Sequence, residues 1–226
     1  HYPDGIIKSA KGLYDVFSVD SIIEATVNDG DEIVCLKVVG NKLCQFKKFS
    51  LTIMGIKTLE NGESNEEIER IIHHVGLNND NQICDTPYGL FWVSRSGVYI
   101  YNGEEIQKVT ETEDGSIIAK EDWESFFGER THCGYDAYWN QVHICKESRN
   151  NDRTIIFDFN TRAFTESNVL YNSAKKTGFV NDRHGHLLWG EHPASTPSSN
   201  LTGNTGSSPA NQNNTAITAP PQPGGD

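Results

Sequence analysis

Residues able to do chemistry gather in short clusters of histidine, cysteine and acid. His73-His74, His132-Cys133, His143-x-Cys145 and His184-x-His186 bring imidazoles and thiols together in sequence. On a strand, side chains two apart share a face, so His143 and Cys145 could ligate one ion, joined by His132 or Cys133. Structural zinc sites commonly announce themselves as Cys-x2–4-Cys pairs, and none is present. The expectation is a buried thiol or a hydrogen-bonded imidazole at each place, with no metal ligand and no cofactor assigned. His184 and His186 fall in an expected turn, where imidazoles beside acids would titrate at mildly acidic pH.

Carboxylates come in adjacent pairs: Glu66/Glu67, Glu104/Glu105 and Glu121/Asp122. Neighbours on a strand point to opposite faces, whereas glycosidase chemistry needs two carboxyls facing each other across ~5–10 Å. A solvated face is the expectation for each pair. No Gly-x-Ser-x-Gly elbow, P-loop or Gly-x-Gly-x-x-Gly is present, nor the Ser-x-Asp-x-Gly-x-x-Trp turn of sialidase propellers. No catalytic residue is assigned, and the chain reads as a non-enzyme.

The elements that would position these groups are legible as hairpins. In Thr86–Gly103, the apolar, aromatic-rich runs Leu90–Val93 and Val98–Tyr101 flank a Ser/Gly turn, and Asn102-Gly103 supplies a second corner. Ile33–Val39 turns at Gly40-Asn41 into Lys42–Phe46, followed by Ser50–Ile53. Gly134–Tyr138 turns at Trp139-Asn140 into Gln141–Cys145, and Thr154–Phe159 turns at Asn160-Thr161 into Arg162–Thr165. Residues 177–190 read as a last pair around Asp182–Gly185.

This grammar predicts an all-β fold: at least three antiparallel sheets of about four strands before residue 190, spaced like propeller blades of ~40–50 residues. Phe91, Trp92, Tyr99 and Ile155 are expected in the cores between sheets. Tyr88 and Tyr101 lie in the same aromatic hairpin, whose rings are expected mainly in packing. Other elements expected are a first strand at Ser21–Val27, an acidic turn at Glu111–Gly115, and a helix or irregular crossing at Ile117–Phe127. Asn65–His74 reads as a short helix, with Asn65 as N-cap and Ile68, Ile71 and Ile72 at i, i+3, i+4.

Val75-Gly76 followed by the Thr86–Gly103 hairpin resembles the blade pattern of tailed-phage distal tail proteins, the nozzle, muzzle and tail-stabilisation group. Lys42–Lys48 before Ser50–Ile53 is similar to the strand-turn-strand preceding it there. The resemblance covers residues 30–110 well and 130–190 only in general style. It implies a structural virion protein of the phage tail, assembled in the host cytoplasm into a six-fold homo-oligomeric ring beside other tail proteins. An alternative with the same fold is a receptor- or glycan-binding propeller module.

Composition narrows the partners. The formal net charge is −12. An acidic chain without a basic stripe is not expected to grip nucleic acid, although acidic walls would let DNA slide past. No apolar run reaches the ~18 residues of a membrane span. The five cysteines, 35, 44, 84, 133 and 145, are expected as buried thiols outside any disulfide. Residues 1–192 are expected to form the propeller-like body. Residues 193–226, nearly all Pro, Ser, Thr, Asn, Gly, Ala and Gln, cannot bury enough surface to order alone and are expected to dock in extended form on another subunit. A first residue that is not Met suggests a processed product, its ring completed by another chain such as an N-terminal fragment of the same precursor.

Overall fold

The computed structural model describes residues 4–10, 12–23, 25, 29–60, 64–112, 115–146, 153–167 and 176–191. The stretch 193–226 and its expected docking lie outside the described residues. Among the described residues the fold is all-β, with several antiparallel sheets and one short α-helix. The chain divides into two compact units, one ending at Cys133 and the other starting at Gly134.

The first unit opens with a ribbon, β1 (Ile6–Ala10) and β2 (Leu13–Ile23), paired antiparallel. The first strand therefore begins well before Ser21.

Next comes a four-stranded sheet, β3 (Ile33–Val39), β4 (Lys42–Lys47), β5 (Ser50–Thr58) and β6 (Ser64–His73), each strand paired with its neighbour in sequence. The segment expected as a helix at Asn65–His74 is thus a strand. β5 offers β6 a long edge, and pairing runs from Ser50↔His73 to Thr58↔Ser64 with a bulge between Ile53 and Met54. β-Branched Ile68, Ile71 and Ile72 suit that surface, and a long ladder outweighs weak helix propensity. Their i, i+3, i+4 spacing makes no buried stripe: Ile72 packs on the core, while Ile68 and Ile71 are exposed.

A short 3-10 turn (Asp80–Gln82) leads to the second sheet: β7 (Ile83–Thr86), β8 (Gly89–Ser94), β9 (Gly97–Tyr101) and β10 (Ile106–Lys108). One face of each sheet meets the other in a single core. Cys44, Phe46, Leu51 and Ile53 pack with Ile83, Leu90, Trp92, Tyr99 and Tyr101. Trp92 is the anchor. Its ring stacks on Tyr99 at 5.4 Å and meets Phe46 edge-on at 5.3 Å, and its Nε1–H donates to the Val75 carbonyl at 2.9 Å. An indole buried this fully needs a partner for its N–H, and Val75 provides it.

A two-residue ladder, β11 (Glu111–Thr112) with β12 (Gly115–Ser116), occupies the expected acidic turn. The helix α1 (Lys120–Phe126) follows and buries Trp123 and Phe126, settling the ambiguity at Ile117–Phe127.

A third four-stranded sheet begins with β13 (His132–Asp136), within which the second unit starts, and continues in that unit with β14 (Gln141–Cys145), β15 (Thr154–Asp158) and β16 (Ala163–Ser167), again in chain order. Val142, Ile144, Ile155 and Phe157 are buried. A ribbon of β17 (Lys176–Asn181) and β18 (Leu187–Glu191) ends the described chain. Corners repeat one device. Asp136 Oδ1 accepts the Tyr138 and Trp139 N–H groups at 3.0 and 3.2 Å, and Asp158 Oδ1 accepts those of Asn160 and Thr161 at 2.7 and 3.0 Å. These are Asx turns, which explain why Asp marks the hairpin ends.

Candidate binding cavity

A cavity of about 700 Å³ opens in the first unit, where three kinds of connection come together. Lys48 and Phe49 from the β4–β5 turn line it, as do Ser94–Gly97 at the β8–β9 turn and Trp123, Glu124 and Phe127 of α1 and its end. Volumes of this order suit a small-molecule ligand.

Backbone geometry builds the walls. His74, at the end of β6, holds φ at 67°, a left-handed conformation that turns the chain inward. Its N–H donates to the Phe49 carbonyl at 2.7 Å, and its own carbonyl accepts from Ser96 Oγ. Ser96 Oγ also lies 2.9 Å from the Tyr99 hydroxyl, so the turn is tied to the aromatic core below it. Gly76 is the tightest point. A Cβ there would stand 2.4 Å from the carbonyl oxygens of both Lys47 and Lys48, so only glycine lets the two chains pass.

The far wall is fixed by one buried side chain. Gln82 accepts from the Asn78 N–H through Oε1 at 2.8 Å, and its Nε2 donates to the carbonyls of Gly128 and Glu129, each at 3.3 Å. Trp123 closes the floor, donating its Nε1–H to the Ser94 carbonyl at 3.0 Å and lying near-parallel to Phe127 at 6.1 Å. With these groups fixed by packing and hydrogen bonds, the cavity is pre-formed.

Charge at the rim is mixed. Lys48 pairs with Glu32 at 2.5 Å, Lys108 with Glu111 at 2.5 Å, and Lys120 with Glu124 at 3.9 Å. The hydrogen bond and charge of Glu32 hold the Lys48 ammonium above its ordinary range. Arg95, exposed at the β8–β9 turn, has no carboxylate within ion-pair distance among the described residues. Phe49, 67% exposed, lines the same cavity. The site therefore offers one uncommitted guanidinium, exposed aromatic surface and glutamates that accept hydrogen bonds.

The residues singled out by type are mostly elsewhere. His74 lines the cavity, its ring 6.4 Å from that of His73. His132 and Cys133 lie on β13, and His143 and Cys145 on β14. His132 Nδ1 is 3.2 Å from the Arg130 carbonyl, Cys145 Sγ is 3.5 Å from Thr154 Oγ1, and Cys133 Sγ is 3.9 Å from Cys84 Sγ. No group of three or more His, Cys, Asp or Glu among the described residues could hold a metal ion. His184 and His186 sit in the β17–β18 turn, where Asp182 Oδ1 accepts both their backbone N–H groups at 2.7 and 2.9 Å. Burial opposes ionisation of Asp182, but those bonds and the nearby imidazoles hold its carboxyl below the usual range.

One of the acid pairs is divided between separate partners. Glu66 reaches Lys8 at 3.1 Å and Glu67 reaches Lys57 at 2.7 Å. None of the five cysteines is in a disulfide. Burial pushes the Cys35 thiol up to about 11 and the Cys44 thiol to about 12. Arg95 and Phe49 carried a sequence signal that was passed over: a lone Arg at the apex of an apolar hairpin, and an aromatic residue in a Lys-Lys-Phe turn. The chain matches no protein-family model and no curated protein sequence.

Proposed function

We propose that the chain is a structural protein of a phage tail, its sheets serving as propeller blades in a distal nozzle or muzzle ring around the DNA-ejection channel. The observation that carries this is the repeat of the sheets. Three four-stranded antiparallel sheets follow one another in chain order, opening at Ile33, Ile83 and His132, about 50 residues apart. That is the period and strand count of propeller blades. The tail assignment itself rests on the resemblance of the Thr86–Gly103 hairpin to nozzle proteins. The net charge of −12 suits a wall along which DNA slides without adhering.

The ring is six-fold and homo-oligomeric, sits in the virion beside other tail proteins, is assembled in host cytoplasm and needs no catalysis. Light scattering and negative-stain microscopy of the full chain test this: rings of six support it, and a monomer at high concentration overturns it. Removing residues 193–226 should weaken the ring while leaving the β signal in place. The pre-formed cavity favours a second reading, compatible with the first: the same body binds a receptor or glycan.

A further inference from the structure

We infer that the cavity of the first unit takes an acidic saccharide, with a sugar carboxylate on Arg95 and a ring face on Phe49. This rests on the glycan-binding reading and names the chemical class of the ligand.

The lining selects that class. A planar guanidinium without a carboxylate partner is suited to hold a carboxylate through two parallel hydrogen bonds. Arg95 is the one guanidinium of the lining; Lys48 and Lys108 are paired with Glu32 and Glu111 at 2.5 Å, and Lys120 lies 3.9 Å from Glu124. A polyanion such as nucleic acid needs a row of unpaired cations, and the lining sets Glu111, Glu124 and Glu129 among its lysines instead. Carboxylate oxygens of those glutamates that face the cavity accept hydrogen bonds from neutral hydroxyls, of which a sugar has many. Phe49, 67% exposed, and Phe127 give apolar faces against which a pyranose ring can lie. One negative charge, several hydroxyls and a flat apolar face together describe a uronic or sialic acid unit within a short oligosaccharide. The volume of about 700 Å³ is sufficient for two or three sugar rings.

Calorimetric titration of the full chain with a glucuronate-containing disaccharide, N-acetylneuraminic acid, the matching neutral disaccharide and sodium acetate tests the inference. At least one acidic sugar should bind about tenfold or more tightly than the neutral one, the difference a charge-assisted pair supplies. Acetate should bind far more weakly than the acidic sugars. Arg95→Gln should remove most of that preference and Phe49→Ala should weaken every sugar, both with unchanged circular dichroism because both side chains are exposed. Lys57→Gln, the same charge change outside the cavity, should leave binding as it was. Equal affinity for acidic and neutral sugars, or an Arg95→Gln variant that keeps the preference, overturns the acidic ligand and leaves glycan binding standing. Binding of no sugar, or of acetate as tightly as the acidic sugars, overturns the glycan reading with it.

Discussion

The first two four-stranded sheets share one core but differ on their other faces. The β7–β10 sheet buries Phe91, Val93 and Val98 there, apolar on both sides. The β3–β6 sheet buries Gln45, Lys47 and Thr52 on the face opposite Cys44 and Phe46, all with no measurable exposure. Lys47 is held by Asp29, whose two carboxylate oxygens each lie 2.9 Å from Nζ. Asp29 Oδ1 also takes the Asp31 N–H at 3.0 Å, and Asp31 accepts from the Phe49 N–H and the Ser50 hydroxyl. One sheet is held by area, which tolerates substitutions of similar volume. The other adds a polar lock that works only in one arrangement, so it contributes specificity more than net stability.

The sharpest way to break the shared core is Trp92→Ala. It removes the ring between Phe46 and Tyr99 and leaves the Val75 carbonyl without its donor, and should cost about 3–5 kcal/mol in urea unfolding. Gly76→Ala should come next, at roughly 1–3 kcal/mol, because the added methyl meets two backbone carbonyls that cannot swing away. It should also loosen the cavity wall, so its calorimetric titration should weaken along with its unfolding midpoint.

The polar lock is probed by Asp29→Asn, a smaller effect of about 1–2 kcal/mol at pH 7, since Asp29 is partly exposed and Lys47 keeps other contacts. The pH dependence has a definite sign. Burial opposes ionisation of Asp29, but Lys47 and the Asp31 N–H more than offset it and hold its carboxyl below its usual value of 3.8. The stability it contributes is therefore complete above about pH 4 and is lost as pH falls through its lower folded value. Wild type and Asp29→Asn should differ at pH 7 and converge as the pH falls through that lower folded value. A gap that stays constant through the whole acid range in which the protein remains folded would show that the lock is not ionic.

Where the sequence was legible, it was through residues that constrain their own neighbours. Gly40-Asn41, Asn102-Gly103 and Asn160-Thr161 mark turns by local backbone chemistry, and strands flank each of them as the pattern expected. The burial of Phe91, Trp92, Tyr99 and Ile155 followed from apolar runs. β6 was not legible, because Ile68, Ile71 and Ile72 fit a helical stripe as well as a strand, and only the long edge of β5 decides between them. Neither was the cavity. Arg95, Phe49 and Gly76 stand far apart in sequence, and nothing in a linear pattern says that a turn, a crossing and a helix converge. The histidines and cysteines invited attention by type, but no three of them among the described residues gather into a group that could hold a metal ion.

The chain order of the strands has a kinetic consequence. In all three four-stranded sheets each strand pairs with the one made just before it, so most pairings close short loops and the contact order within a sheet is low. A growing chain can complete β3–β6 before β7 is synthesised, leaving that finished sheet to act as the template for β7–β10. Slow, long-range pairing is avoided until the sheets pack. The events that limit the rate are then the docking of sheet faces, above all the closure of the core around Trp92, rather than the formation of any strand pair.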